Sequence, residues 1–127
     1  MTHDQFIGQV QNRGHLSTRA DAERATRATL ETLAERLAGG EAGHLASQLP
    51  REIGEHLRRA DESEVERLDL DGFYQRVSER EGRELPEAVH HAKAVIGVVR
   101  EAVSAGEFAD VETQLPEEFR HLLEAEA

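Results

Sequence analysis

Three glutamate–histidine pairs are the residues of this chain whose types and spacing most suggest chemistry. The sequence contains seven histidines and twenty-six acidic residues. The pattern Glu-x-x-His joins Glu41 with His44, Glu87 with His90, and Glu118 with His121. On a helix, side chains three positions apart lie on one face, and di-iron carboxylate bundles use this pattern twice, together with two further glutamates. One hypothesis is therefore a metal site with carboxylate and imidazole ligands.

Several features of the sequence weigh against this metal hypothesis. Glutamate is so abundant that some of these pairs are expected by chance. The pairs also lie near predicted helix starts, whereas a di-iron site needs inward-facing positions within long helices. In the internal duplication described below, Asp110 stands opposite His44, and Glu55 stands opposite His121. We therefore favour a solvated surface for the pairs and predict no cofactor.

Other catalytic signatures are absent from the sequence. There is no cysteine, no glycine-rich phosphate loop and no Gly-x-Ser-x-Gly motif. The serines stand where helix caps, turns or exposed residues are expected. We therefore expect a protein that is not an enzyme.

The composition predicts an acidic protein with neither nucleic acid nor membrane among its partners. The formal net charge is -11, the opposite of the clustered positive charge that neutralises phosphates. No segment approaches the roughly 20 apolar residues that a membrane span requires. The stretch from Met1 to Asn12 lacks the basic start and the apolar run of a secretion signal. Together these features predict a cytoplasmic location.

Apolar spacing and capping residues predict four helices in the first part of the chain. Thr2 or Asp4 is the expected N-cap of the first helix. The second is amphipathic, because its apolar residues recur at three- and four-residue steps. The predicted helices run from Met1 to Gly14, from about Arg19 to Ala38, from Glu41 to Gln48, and from Pro50 to about Ala60.

The helical pattern restarts after an acidic segment. Residues 61–70 are predicted to form a linker that lies across the surface. Asp71 is then the expected N-cap of a helix, and Pro86 starts a second long helix that ends near Ser104. Pro116 starts the last helix in the same way.

One segment of the second long helix is ambiguous by itself. Residues Ala94 to Val99 are β-branched enough to form a buried strand. Their partners in the duplication, Ala28 to Leu33, are clearly helical, so we predict a helix here too. A helix that is apolar nearly all round belongs in the centre of a core, and the alternative is that one face meets a second subunit.

The chain repeats itself over most of its length. The stretch from Gly40 to Leu57 returns sixty-six positions later, from Gly106 to Leu123, and ten of thirty-six aligned positions are identical. The first helix returns at a spacing of sixty-seven. Such self-similarity indicates an internal duplication. We predict a single all-α domain over 1–127, with about eight helices arranged as two tandem four-helix repeats, 4–60 and 71–126, that share one core.

The residues kept in both copies have a structural explanation. Gly40 and Gly106 are expected to end a helix in the left-handed conformation, and the following proline starts the next helix. A leucine before each proline anchors the corner between the helices. The alternative is that these corners bind a partner, through Leu49, Pro50, Leu115 and Pro116.

A distinctive order of motifs runs through the chain. An opening Phe-x-x-x-Val helix precedes a long helix that ends in Gly-Glu, and Gln-Leu-Pro-x-Glu leads the last helix. These motifs are carried by Phe6 and Val10, Gly40 and Glu41, Gln48 to Glu52, Asp69 to Val77, Gly106 and Glu107, and Gln114 to Phe119. The pattern resembles the family catalogued as domain of unknown function 2267 over essentially the whole chain. The resemblance implies a small bacterial or archaeal all-helical protein with two similar halves, and it supplies no catalytic residues.

Three hypotheses for function follow. The first is a non-enzymatic protein-interaction or regulatory module, because packing explains every regularity of the chain. Its partner would be another protein or a second copy of this chain, with a homodimer as one form. The second is a metal-binding protein that uses the glutamate–histidine pairs. The third is a small-molecule binder with a pocket between the repeats, lined by the aliphatic face of Val95 to Val103.

Overall fold

A computed structural model describes residues 1–38, 40–59 and 67–124 of the chain. Within these ranges the chain forms eight α-helices and one 3-10 turn, and no strand. The all-α class and the number of helices are therefore confirmed. The helices are α1 (His3–Arg13), α2 (Arg19–Arg36), α3 (Glu41–Ser47), α4 (Arg51–Arg59), α5 (Leu70–Glu81), α6 (Leu85–Ala102), α7 (Ala105–Thr113) and α8 (Arg120–Leu123), and the 3-10 turn is Glu117–Phe119.

Helices α1 and α5 begin at matched residues. Thr2 caps α1 in a capping box, because its hydroxyl accepts from the Gln5 amide while the Gln5 side chain accepts from the Thr2 amide. Asp69 caps α5, accepting from the Gly72 amide at 2.7 Å. The predicted N-cap at Asp71 is wrong, because the Asp69 carboxylate makes the capping hydrogen bond and Asp71 lies in the first turn of α5. Asp69 is also the residue sixty-seven positions after Thr2. Helix α5 consequently includes Leu70, the last residue of the predicted linker, while residues 61–66 of that linker lie outside the described ranges.

The two Gly-Glu elements differ in conformation. Gly40 is left-handed as predicted, with φ +80°, but it does not end the long helix, because α2 ends at Arg36 with Leu37 as its cap and Gly40 is the N-cap of α3. Gly106 instead lies within the first turn of α7, which Ser104 caps. The prediction that Gly106 ends a helix is therefore wrong, because the Ser104 hydroxyl starts α7 without a left-handed residue.

The two long helices form the centre of the fold. Helix α2 packs against α1, α4, α5 and α6, and α6 packs against α1, α2, α5 and α8. All six residues from Ala94 to Val99 are buried, and they are helical as predicted. Their burial within one chain places α6 in the core, so no second subunit is needed to cover it. One apolar cluster contains residues from α1 through α8.

Contacts between the two parts of the chain recur at matched positions. We call residues 1–59 the first segment and residues 67–124 the second segment. Arg13 of α1 pairs with Glu101 of α6, and Arg80 of α5 pairs with Glu35 of α2. These two pairs are related by the same sequence offsets as the duplicated motifs. The division into two tandem repeats stays a prediction, and these two ion pairs are contacts that the repeats would make with each other.

The last helix departs from its counterpart in the first segment. Gly54 lets α4 lie closely on α3, because a Cβ atom there would stand 2.8 Å from the carbonyl oxygen of Ala46. The matched positions in the second segment carry Arg120 and Glu112. Arg120 carries the Cβ atom that Gly54 lacks, so the same close approach is not available in the second segment, where a 3-10 turn and the short α8 stand in place of α4. A groove of about 510 Å³ opens between α7 and α8.

Candidate functional site

Two acidic side chains meet where α3 contacts α7. Glu41 is the first residue of α3, and Glu107 is the third residue of α7. The starts of both helices are held across the segments by glutamine side chains. Gln48 accepts from the Ser104 amide at 2.8 Å, and Gln114 accepts from the Ala38 amide at 2.8 Å. Because these ties fix the backbone just before each helix, the two glutamates face each other at a defined place.

The site contains three carboxylates. Glu41, Glu107 and Asp110 each offer one ligand atom, and these atoms lie within 4.8 Å of one another. Glu41 is 7% exposed and Glu107 is 8% exposed, whereas Asp110 is exposed. The Oε1 atoms of Glu41 and Glu107 are buried, and neither finds a hydrogen-bond partner among the residues that the structure describes. Buried carboxylate oxygens without donors are costly, so the site needs a positive charge or a proton.

The electrostatics of the site also indicate that it needs a positive charge or a proton. Burial raises the pKa of Glu107, and two effects of Glu41 raise it further: its carboxylate can accept a hydrogen bond from protonated Glu107, and its negative charge disfavours ionisation. The charge of Asp110 acts in the same direction, and nearby His44 opposes it. Two carboxylates in one site disfavour simultaneous ionisation. The pair therefore stabilises either a shared proton or a bound cation.

His44 of the first predicted pair lies beside this site. Its Nδ1 atom is 3.7 Å from Oε2 of Glu41, and its side chain is 73% exposed. His44 follows Glu41 by three positions on α3, as Asp110 follows Glu107 on α7. The presence of Asp110 opposite His44 counted against a metal site in the sequence. In the structure Glu41, Glu107 and Asp110 come together at one place, and His44 lies next to them through its contact with Glu41.

The other two glutamate–histidine pairs do not form carboxylate–imidazole clusters in the described part of the chain. Glu87 lies 3.7 Å from Arg83, and the His90 ring stacks on His15 with centroids 5.6 Å apart. Glu118 accepts a hydrogen bond from the Leu70 amide at 2.8 Å, and His121 is exposed. The exposed-surface interpretation thus agrees with the positions of His90 and His121.

The predicted corners have the packing role proposed for them. Leu49 and Leu115 are both buried in the core cluster. Pro50 is half-buried and directly precedes α4, while Pro116 is exposed and precedes the 3-10 turn. Leu115 and Pro116 also line the groove between α7 and α8.

The predicted ligand pocket between the repeats is not open at its proposed aliphatic wall. Val95, Val98 and Val99 are buried in the core, and Val103 is half-buried against it. A cavity of about 530 Å³ lies elsewhere, between α1, α2 and α4. Its lining is polar in large part and includes Glu23, Arg27, Glu52 and His56.

Sequence reasoning missed the ionic contacts that join the segments. Glu35 is buried and accepts from Arg76 at 2.6 Å as well as from Arg80. A signal was present, because Glu35 and Glu101 are identical at the sixty-six offset and Arg13 and Arg80 at sixty-seven. Asp110 was also missed as a site residue, because the second copy has this aspartate at the position where the first copy has His44 and therefore lacks the Glu-x-x-His pattern.

Together these features define a small helical protein with a buried carboxylate pair between two short helices. Residues 3–122 match the model of a family described as uncharacterized conserved protein (DUF2267). The chain belongs to this family, as its motifs predicted. No curated protein matches the sequence. Within the described ranges, no helix has the length and apolar character that crossing a bilayer demands.

Proposed function

We propose that this protein binds one divalent cation between α3 and α7, with Glu41, Glu107 and Asp110 as ligands. The observation that carries the proposal is the pair of buried Oε1 atoms, one on each glutamate, without a donor among the described residues. Oxygen ligands of this kind suit divalent cations. A cation would remove the repulsion between the carboxylates and would occupy the position where their charges converge.

The bound ion would act as a structural or regulatory element. Its ligands come from both segments, since α3 of the first segment and α7 of the second contact each other. Binding to the folded state alone stabilises that state, by about 2.7 kcal/mol when the free cation is a hundredfold above its dissociation constant. A non-enzymatic role is retained in this proposal, because the site contains no group that the sequence identifies as a nucleophile.

Thermal unfolding with and without cation tests the proposal. Protein made without a histidine tag is treated with chelator and titrated with Mn²⁺, Zn²⁺, Mg²⁺ and Ca²⁺ by calorimetry. We expect at least one cation to bind with a stoichiometry of one and to raise the Tm. Glu107→Gln should lose both effects while the metal-free variant stays at least as stable as the native protein, because the substitution removes a buried carboxylate.

Glu112→Gln provides the matched control. Glu112 lies on the same helix as Glu107 but outside the carboxylate cluster. Its replacement should leave cation binding unchanged. If the native protein binds none of the four cations at millimolar concentration, the carboxylates share a proton instead and the proposal is wrong.

A second proposal retains the interaction hypothesis, with another protein or a second copy of this chain bound at the Leu115–Pro116 corner. The groove between α7 and α8 supports it, since this corner is open where α4 closes the corresponding one. Arg120→Glu changes the charge of the groove wall without touching the core. The proposal expects this variant to weaken self-association measured by sedimentation, or capture of a partner from the native host, whereas Arg51→Glu, on the exposed start of α4, should not.

The cytoplasmic location predicted from the sequence belongs to the same proposal. Fractionation of cells from the native host, with antibody detection of the protein, would test it.

A further inference from the structure

We propose that His44 is the fourth protein ligand of this site, so that the site prefers a first-row transition-metal dication such as Zn²⁺ or Co²⁺ over Mg²⁺ or Ca²⁺. The inference rests on the proposed cation site and specifies which class of ion it takes. The carboxylate triad alone does not distinguish these ions, because each of them accepts oxygen ligands.

The position of His44 supports the assignment. Its Nδ1 atom lies 3.7 Å from a carboxylate oxygen of Glu41, which is itself a ligand of the proposed ion. His44 and Asp110 stand at matched positions, three residues after Glu41 and Glu107 respectively. Two helices thus present the same two-residue arrangement to one point, and three of the four side chains already lie within 4.8 Å of one another.

The exposure of His44 leaves it free to complete the coordination. With 73% of the side chain exposed, its rotamer is not fixed by packing. The contact at 3.7 Å is longer than a hydrogen bond, so little is lost if the ring turns from Glu41 towards an ion. The buried glutamates would hold the ion, and the exposed His44 and Asp110 would close over it from the solvent side.

Ligand chemistry then sets the preference. Imidazole nitrogen binds Zn²⁺, Co²⁺ and Fe²⁺ well, whereas Mg²⁺ and Ca²⁺ favour oxygen ligands throughout. One imidazole among three carboxylates therefore shifts the order of affinities towards transition metals. Replacing that imidazole by a carboxylate should reverse the shift without removing the site.

The matched positions allow a swap experiment. His44→Asp produces a site with four carboxylates, and the double variant His44→Asp/Asp110→His restores one histidine at the matched position. Affinities of Zn²⁺, Co²⁺ and Mg²⁺ are measured by calorimetry on the tag-free full-length protein. We expect His44→Asp to weaken Zn²⁺ and Co²⁺ by at least about tenfold with little change for Mg²⁺, and the swapped variant to regain most of the loss.

Two controls separate this inference from the proposed function. His121→Asp changes an exposed histidine of the same Glu-x-x-His type and should leave every affinity unchanged. Glu107→Gln should abolish binding of all three ions. If Glu107→Gln abolishes binding but His44→Asp binds Zn²⁺ as tightly as the native protein, the cation site stands and His44 is not its ligand.

The swapped variant provides the second way to overturn the inference. If it binds Zn²⁺ as weakly as His44→Asp, the lost affinity did not come from coordination by an imidazole. Circular dichroism and the Tm of each metal-free variant establish that the comparison is made on folded protein. If the native protein binds no cation, the proposed function itself fails.

Discussion

Gln48 and Gln114 occupy matched positions, and each side chain binds the backbone of the other segment. Gln48 accepts from the Ser104 amide, while Gln114 accepts from the Ala38 amide and donates to the Ala38 carbonyl. Ala38 and Ser104 are themselves sixty-six positions apart. The two contacts are therefore reciprocal: each glutamine binds the residue that lies sixty-six positions from the one bound by the other.

These glutamines should contribute unequally to stability. Gln114→Ala removes two hydrogen bonds and should lower the free energy of unfolding by about 1 to 2 kcal/mol, whereas Gln48→Ala removes one and should lower it by about 1 kcal/mol. Urea unfolding of both variants checks the order. Gln75→Ala, on an exposed position of α5, is the control and should be nearly neutral. Equal and negligible losses at both sites would show that the reciprocal contacts do not stabilise the fold.

The two ion pairs between the segments should also contribute unequally to the free energy of unfolding. Glu35 has a 9% exposed side chain and binds two arginines, while the Glu101 side chain is 53% exposed. Glu35→Ala leaves two arginines without this partner, and because the side chains of Arg76 and Arg80 are 30% and 32% exposed, water compensates in part, so the loss should be about 2 kcal/mol. Glu101→Ala should cost about 0.5 kcal/mol, in the range of surface pairs.

A double-mutant cycle isolates the contact between Glu35 and Arg80. Glu35→Ala, Arg80→Ala and the double variant are compared by urea unfolding. We expect the loss in the double variant to be smaller than the sum of the two single losses. Additive losses would mean that Glu35 acts through packing and not through its contact with Arg80.

Much of the helical framework could be predicted from the sequence, because capping and periodicity are local properties. Thr2 and Pro86 stand at or within one residue of the positions that capping rules give them. Asp71 was misplaced because two acids lie close together, and only the offset from Thr2 distinguishes Asp69 from it. Where two residues could each cap the same helix, capping rules alone do not place the start of that helix.

Only part of the candidate site could be predicted from the sequence. Glu41 and His44 form a local pattern that a search for metal ligands finds. Asp110 is distant in sequence, and its contact depends on how α3 packs on α7. Local spacing cannot predict such packing, although the internal duplication identifies Glu107 and Asp110 as the counterparts of the first pair.

Glu81 should stabilise the protein more at low pH than at high pH, the opposite of what a carboxylate with a lowered pKa does. This side chain is 2% exposed, and its Oε2 lies 2.5 Å from Nδ1 of His91. Burial raises the pKa of Glu81 above its ordinary value of 4.5, although His91 and Arg83 oppose the rise and Glu87 adds to it. Between 4.5 and the raised pKa, the folded state keeps a proton that the unfolded state has released. The contribution of Glu81 is therefore complete below pH 4.5 and is lost as the pH rises through the raised pKa.

Replacing Glu81 by glutamine tests this sign. Glu81→Gln has no proton to lose, so its stability relative to the native protein should increase between about pH 4 and about pH 8, by about 1.4 kcal/mol for each unit by which the pKa is raised. Urea unfolding at the two pH values measures the difference. Glu79→Gln, exposed on the same helix, should show no such trend. A constant difference between native and Glu81→Gln proteins would contradict the predicted titration.

A left-handed residue follows the last turn of both α1 and α5, and the two copies use different amino acids there. His15 has φ +52°, and Gly82, sixty-seven positions later, has φ +71°. A side chain in this conformation costs about 1 kcal/mol, which glycine avoids. His15→Gly relieves this cost, but it also removes the stacking on His90 and adds freedom to the unfolded chain, so the free energy of unfolding should change by less than about 0.5 kcal/mol. Gly82→Ala should lower the free energy of unfolding by about 1 kcal/mol, because a Cβ atom there meets no neighbour within 4 Å and only the backbone conformation opposes it.

Gly8→Ala is the matched control for Gly82→Ala. Gly8 lies in α1 with open space around it and an ordinary helical conformation, so the same substitution should stabilise the protein by about 1 kcal/mol. Opposite signs for the two glycine-to-alanine variants in urea unfolding would establish that backbone conformation, and not the loss of glycine, sets the cost at residue 82.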